Sequence, residues 1–286
     1  MFSWGEVCGA RPAVMGVVNV TPDSFSDGGR WLDPAAAVAH GLDLVDAGAD
    51  LLDVGGASTR PGARPVDPDE EQRRVAPVVE GLVAATAVPV SIDTTRADVA
   101  RAALDAGARV VNDVSGGRAD PDLLPAVAGR GAGIVLMHMQ GTPATMQDDP
   151  RYDDVVQEVG DFLTTRIAAA RAAGITDGAI AVDPGIGFGK TLDHNLDLLA
   201  ALGSLADRLA PFPLLLGTSR KRCIGTVLAG VGDEAGEPAP DRREEGTLAT
   251  TVWGIACGVR VVRVHDARAA AQAIRWCTRA DRSVAA

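Results

Sequence analysis

The chain has 286 residues, 47% of them hydrophobic and 23% charged, which is enough for one large core and lacks the polar bias of a disordered chain. A formal net charge of -11 and a pI near 4.8 exclude the basic surface that nucleic acid requires, and the arginines are scattered. The start, Met1-Phe2-Ser3-Trp4-Gly5-Glu6, has no basic segment leading into a long apolar one, and no run is long enough to span a bilayer, so a cytoplasmic protein is expected.

After a lead-in over residues 1–12, Ala13 to Val20 reads as a first strand with Asn19 near its end. Asp33-Pro34 then predicts a helix start, because the carboxylate caps free N–H groups and proline has none to lose at the first helical position. Leu51 to Gly55 is the second strand, followed by a loop to Asp67-Pro68, where Glu70 completes a predicted capping box. The third strand, Val88 to Asp93, leads into a helix over Arg96 to Ala106. Its apolar stripe is Val99, Ala100, Ala103, Leu104 and Ala106, and Gly107 stops it. Arg109 to Val114 is the fourth strand, and Asp120-Pro121 predicts the next helix start. Strands follow at Gly133 to His138, Ala179 to Asp183, Pro213 to Thr218 and Val259 to His265, with the acidic stretch 230–245 read as an extension of the seventh helical region.

These eight runs are continuous in Val, Ile and Leu, as parallel strands covered on both faces are, and helical stretches separate them. Eight such units in slightly more than the usual ~250 residues predict a single-domain (β/α)₈ TIM barrel over residues 1–286. The loops after strands one, two and five then lie on the C-terminal face, where barrel active sites are built. Nearly every strand ends in a polar residue: Asn19, Asp53, Asp93, Asn112 with Asp113, His138, Asp183, Thr218 with Ser219, and Arg263 with His265. Any one of these fits a turn or a helix cap, but together they outnumber what capping needs.

Asp93, Asn112 and Asp183 offer donors and acceptors suited to a flat, nitrogen-rich heterocycle such as a pterin. Asp93 would serve equally as a cap for the helix beginning near Thr94, and the glycines of Asp183-Pro-Gly-Ile-Gly-Phe-Gly-Lys190 fit either close approach to a ligand or a tight turn. Arg60, Lys221, Arg263 and His265 are suited to a phosphate ester and a carboxylate. No transition-metal motif occurs, but Mg²⁺ needs only one or two protein oxygens beside substrate phosphates, and Asn19 can supply one. His40 and His194 read as structural residues in helices, and His138 is open to either role. Lys190 lacks the spacing of a phosphate loop, and the four cysteines lack that of a zinc site or a disulfide framework.

Taken in order, Asn19-Val-Thr-Pro-Asp-Ser-Phe-Ser-Asp-Gly-Gly29, Ser58-Thr-Arg-Pro-Gly62, Ser91-Ile-Asp-Thr94, Asn112-Asp113, Asp183 to Lys190, Ser219-Arg-Lys221 and Arg263-Val-His265 resemble the dihydropteroate synthase family, in its actinobacterial form, across essentially the whole chain. The resemblance implies a folate-pathway transferase joining p-aminobenzoate to a dihydropterin pyrophosphate. In it Asp93, Asn112, Asp183 and Lys221 hold the pterin, and Asn19 engages Mg²⁺. Thr59, Arg60, Arg263 and His265 surround the phosphates, Phe25, Pro61 and Phe188 sandwich the aminobenzoate ring, and Ser219 lies near its carboxylate. Asp93, Lys221 and Arg263 are the implied catalytic set, and the implied partners are these small molecules, sulfonamides that mimic one of them, and a second copy of the chain. Ala57 departs from the family, which usually carries Glu before Ser-Thr-Arg-Pro. The rival readings are a corrinoid-dependent methyltransferase built on a pterin-binding barrel, and a non-catalytic pterin-binding paralogue.

Overall fold

The computed structural model describes residues 1–21, 33–63, 65–230 and 236–284, with side chains through residue 280. Its eight strands are β1 (Ala13–Asn19), β2 (Leu51–Gly55), β3 (Val90–Asp93), β4 (Val110–Asp113), β5 (Gly133–Met137), β6 (Ile180–Asp183), β7 (Leu215–Leu216) and β8 (Val261–Val264). All pairings are parallel in the order β6-β5-β4-β3-β2-β1-β8-β7, and a parallel bridge between Val182 and Leu214 closes the ring. Around it run α2 (Pro34–Asp46), α3 (Pro68–Ala85), α4 (Ala97–Asp105), α5 (Leu123–Gly129), α6 (Val155–Ala172), α7 (Leu192–Ala200), α8 (Leu202–Leu209), α9 (Arg222–Leu228), α10 (Glu244–Ala256) and α11 (Ala267–Val284), preceded by a short α1 (Trp4–Cys8). The expected single-domain barrel is the observed one.

Alternation along each strand sorts the core into two shells. Outward residues such as Val14, Leu52, Ile92, Val111, Ile134 and Val262 pack on the helices. Inward residues Met15, Leu51, Val110, Val135, Ala181, Leu215 and Val261 fill the lower barrel. Two residues further along the same inward faces stand Asp53, Asn112, Asp183 and Arg263, so the interior changes from apolar to polar towards the strand ends. The lead-in closes the bottom: Phe2, Trp4 and Cys8 join the inner cluster, and Trp4 Nε1 donates to Ala179 O at 3.1 Å. Gly133 starts β5 because a Cβ there would sit 2.4 Å from the Phe2 ring.

Four expectations are corrected. Asp120 does not cap α5, which begins at Leu123. Its carboxylate instead accepts from Asp122 N and, at 2.8 Å, from Ala97 N, capping α4 from the following loop. Glu70 makes no capping box, because its carboxylate is drawn to Arg73 and Arg74, each at 2.8 Å. The seventh strand shrinks to two residues: Pro213 has no N–H to give, and Thr218 already begins the next turn, its carbonyl accepting from Lys221 N. The described part of 230–245 does not lengthen a helix, since a 3₁₀ turn at Pro240–Arg242 precedes α10. Asp33 and Asp67 cap α2 and α3 as expected.

Candidate active site

Arg263 organises the top of the barrel. From β8 its Nε donates to Asp53 of β2 at 2.7 Å, and a terminal nitrogen donates to Asp93 of β3 at 2.9 Å. Asn112 of β4 donates to the same Asp53 oxygen at 2.9 Å. Four strands are thereby tied by one charged network, which is stable in a buried place only because every charge has a partner. Among the described residues two buried side-chain atoms stay unsatisfied, Asp53 Oδ1 and Ser91 Oγ, on residues that face each other in the β2–β3 register. Burial pushes the Asp93 carboxyl up to about 7 against the pull of Arg263, with Asp53 adding repulsion. The alternative of Asp93 as a helix cap does not hold, because α4 begins only at Ala97.

On the opposite side, Asp183 accepts from Gly185 N at 2.7 Å and is driven above the usual carboxylate range by burial, with Lys221 opposing. Asp183 thus fills the turn role and still faces Lys221. Burial lowers the Lys221 ammonium to about 8 against the attraction of Asp183. Its Nζ donates to Ile186 O and stands 4.5 Å from the centre of the half-buried Phe188 ring. This cation–π contact joins the site's lysine to the expected aminobenzoate sandwich.

Ser219 and His265 meet at 2.9 Å between Oγ and Nδ1. Burial holds His265 down at about 3, and Arg220, Arg263, Arg60 and His40 push the same way. A neutral imidazole surrounded by cations marks the place where an anion would bind. Arg60 and Pro61 are exposed on the second loop, and Thr59 lines a cavity of about 540 Å³ bounded also by Asp93, Arg118, Met139 and Thr142. Arg263, expected beside the phosphates, is engaged with Asp53 and Asp93. Phe25 lies outside the described residues.

Asn19 ends β1, and its Oδ1 shares with Asp93 Oδ2 the space above Gly55: a Cβ on that glycine would stand 3.7 and 3.8 Å from them. Asp93 Oδ2 is held by Arg263, which leaves the Asn19 amide oxygen to suit a cation that takes the rest of its shell from substrate phosphates, as Mg²⁺ does. Among the described residues no group of three or more His, Cys, Asp or Glu could hold a metal unaided.

Asp53 reads in the sequence only as a strand end, although a carboxylate central in an apolar strand signals a buried partner. Lys190, which lacks the spacing of a phosphate loop, is 3% exposed, and its Nζ lies 2.9 Å from Nδ1 of the buried His138, which makes His138 structural. No local pattern announces a contact across 52 residues.

Against known proteins, residues 15–265 match the pterin binding enzyme family. The chain is 52% identical over 263 residues to the dihydropteroate synthase of Mycobacterium leprae, covering 92% of this chain and 91% of that one. It resembles the Xanthomonas albilineans dihydropteroate synthase solved with 4-aminobenzoic acid at 48% identity and TM-score 0.84, covering 96% and 94% of the two chains. The Yersinia pestis dihydropteroate synthase in a sulfonamide drug complex matches at 42% identity and TM-score 0.88, with 96% and 95% covered. The chain belongs to the pterin binding enzymes and, within them, to the dihydropteroate synthase family.

Proposed function

We propose that this chain condenses (7,8-dihydropterin-6-yl)methyl diphosphate with p-aminobenzoate to give 7,8-dihydropteroate and diphosphate. The observation that carries this reading is the Arg263 network joining Asp53, Asp93 and Asn112 opposite the Asp183–Lys221 pair, with the cation-ringed Ser219–His265 contact beside them. The pterin edge pairs with Asp93, Asn112, Asp183 and Lys221. The diphosphate meets Thr59, Arg60, Arg263 and His265. The aminobenzoate ring packs on Phe188 and Pro61, with its carboxylate towards Ser219.

In the reaction the methylene C–O bond breaks and its electron pair leaves on the diphosphate. The arylamine nitrogen then gives its lone pair to the carbon and loses one proton. Cations around His265 stabilise the departing charge, and the Asp93 and Asp183 carboxylates face the charge left on the pterin. Mg²⁺, held by Asn19 and the phosphates, would neutralise the leaving group when bound. The direct test is ¹⁸O placed in the bridging position of the pterin diphosphate. Its scrambling to non-bridging positions without p-aminobenzoate supports early C–O cleavage, and its retention under turnover conditions overturns that order.

A homodimer is the proposed assembly. Trp253 on α10 is 52% exposed and Trp276 on α11 is 77% exposed, so neither is core, and Leu248 and Val252 extend the apolar face. Light scattering that finds a monomer at micromolar concentration contradicts this. Among the described residues no helix is long and apolar enough to cross a membrane, and a cytoplasmic location belongs to the same proposal.

A further inference from the structure

The loop from Pro184 to Lys190 carries Phe188, and five successive backbone carbonyls in it are held by side chains. Lys190 Nζ donates to Gly185 O at 2.9 Å and Phe188 O at 3.1 Å, and Lys221 donates to Ile186 O. Gln147 Nε2 donates to Gly187 O at 2.9 Å, and the Tyr152 hydroxyl donates to Gly189 O at 2.7 Å. The glycines are obligatory here: Gly185 has φ 70°, and a Cβ on it would lie 1.8 Å from the His138 carbonyl oxygen.

Lys190 is the centre of this arrangement. Its Nζ is bonded to Gly185 O, Phe188 O and His138 Nδ1, and these three contacts fill its hydrogen-bonding capacity. The residues it serves differ in what else holds them. Asp183 lies within β6, paired with Met137, and its carbonyl accepts from His138 N at 3.0 Å. The Phe188 N–H, by contrast, bonds only within the loop, to Gly185 O at 3.1 Å.

We propose that Lys190 is a positioning residue for the acceptor subsite, fixing the Phe188 backbone so that its ring stays beneath Lys221 and against the arylamine. This rests on the reading of Phe188 as part of that subsite. Without Lys190 the loop gains freedom at Phe188, while Asp183 keeps its strand.

The test compares Lys190→Met, Tyr152→Phe and Phe188→Ala. Lys190→Met is expected to raise the KM for p-aminobenzoate about tenfold and to change the Kd of a pterin lacking diphosphate less than about threefold, because only the ring subsite loses its support. Tyr152→Phe removes a single donor at a half-buried position and is expected to show the same split at about threefold, which keeps the test decisive where Lys190→Met does not fold. Fluorine NMR of 4-fluorophenylalanine at position 188 is expected to broaden or split in Lys190→Met. If Phe188→Ala leaves the p-aminobenzoate KM unchanged, the subsite reading fails and the proposal with it. If Phe188→Ala raises that KM while the Lys190 and Tyr152 variants do not, or if these lower both affinities equally with an unchanged fluorine signal, Lys190 is structural and the proposal alone is overturned.

Discussion

Ser219 and His265 form a pair in which the His265 backbone N–H donates to Ser219 Oγ at 3.2 Å while that same oxygen lies 2.9 Å from Nδ1. His265 is held neutral by burial and by the surrounding cations, and the tautomer expected of it has the Ser219 hydroxyl donating to Nδ1 and the proton on Nε2, towards a phosphate oxygen. Nitrogen NMR of labelled histidine is expected to show an Nε2–H tautomer at position 265 with no titration down to pH 5. A midpoint near the ordinary value for histidine would contradict it.

Asp183→Asn is expected to keep the fold and weaken pterin binding. An amide replaces one acceptor oxygen by a donor where ring donors are expected, a mismatch that costs about 1–3 kcal/mol, or roughly ten- to a hundredfold in affinity. Calorimetry with a pterin lacking diphosphate checks it, and unchanged affinity in the folded variant would return Asp183 to its turn with Gly185 alone.

The pH dependence of stability follows from Asp93. Its carboxyl is raised to about 7 by burial, so between roughly pH 4 and 7 the native state holds a proton that the unfolded chain has released. Its contribution to stability is therefore fully present below the unfolded value and lost as pH rises through about 7. Asparagine cannot ionise, so urea titrations should show Asp93→Asn gaining on the parent across that window, whatever constant offset the substitution brings. A difference independent of pH would mean that Arg263 keeps Asp93 ionised throughout.

The barrel was legible because strands buried on both faces must be continuously apolar, and their polar ends, Asn19, Asp93, Asn112 and Asp183, interrupt that rule at the place where a closed ring gathers them. Asp33 and Asp67 were legible as caps because capping acts within a few residues. Asp120 and Glu70 departed from that pattern because a partner near in space, Ala97 N for one and Arg73 with Arg74 for the other, took the carboxylate. The Arg263 network was only half legible: the charges could be seen, but their pairing across 210 and 170 residues depends on the closure of the ring. Asp53, which ties that network together, stands inside an apolar run, where its sequence neighbours carry no sign of its partners Asn112 and Arg263.

Asn19→Ala is expected to lower turnover by ~10² or more, since losing one preorganised group that stabilises developing charge commonly costs that much. Binding of a pterin lacking diphosphate should survive, because Asp93, Asn112 and Asp183 are untouched. Raising Mg²⁺ should recover part of the loss, as the metal takes most of its ligands from substrate and water. Equal loss of binding and turnover, with no response to Mg²⁺, would make Asn19 a residue of the pterin pocket or the first loop.

Sulfonamides are expected to inhibit in competition with p-aminobenzoate, since a like-shaped ring and anionic end would occupy the subsite at Phe188, Pro61 and Ser219. Steady-state inhibition at several p-aminobenzoate concentrations checks this, and inhibition that p-aminobenzoate cannot relieve would contradict it.

The most direct measurement is of the products formed when the purified protein meets the pterin diphosphate, p-aminobenzoate and Mg²⁺ together. Dihydropteroate and diphosphate are expected in equal amounts, and only with both substrates present. Diphosphate without dihydropteroate, methyl transfer from a methylated pterin, or binding of the pterin without turnover would contradict the assignment.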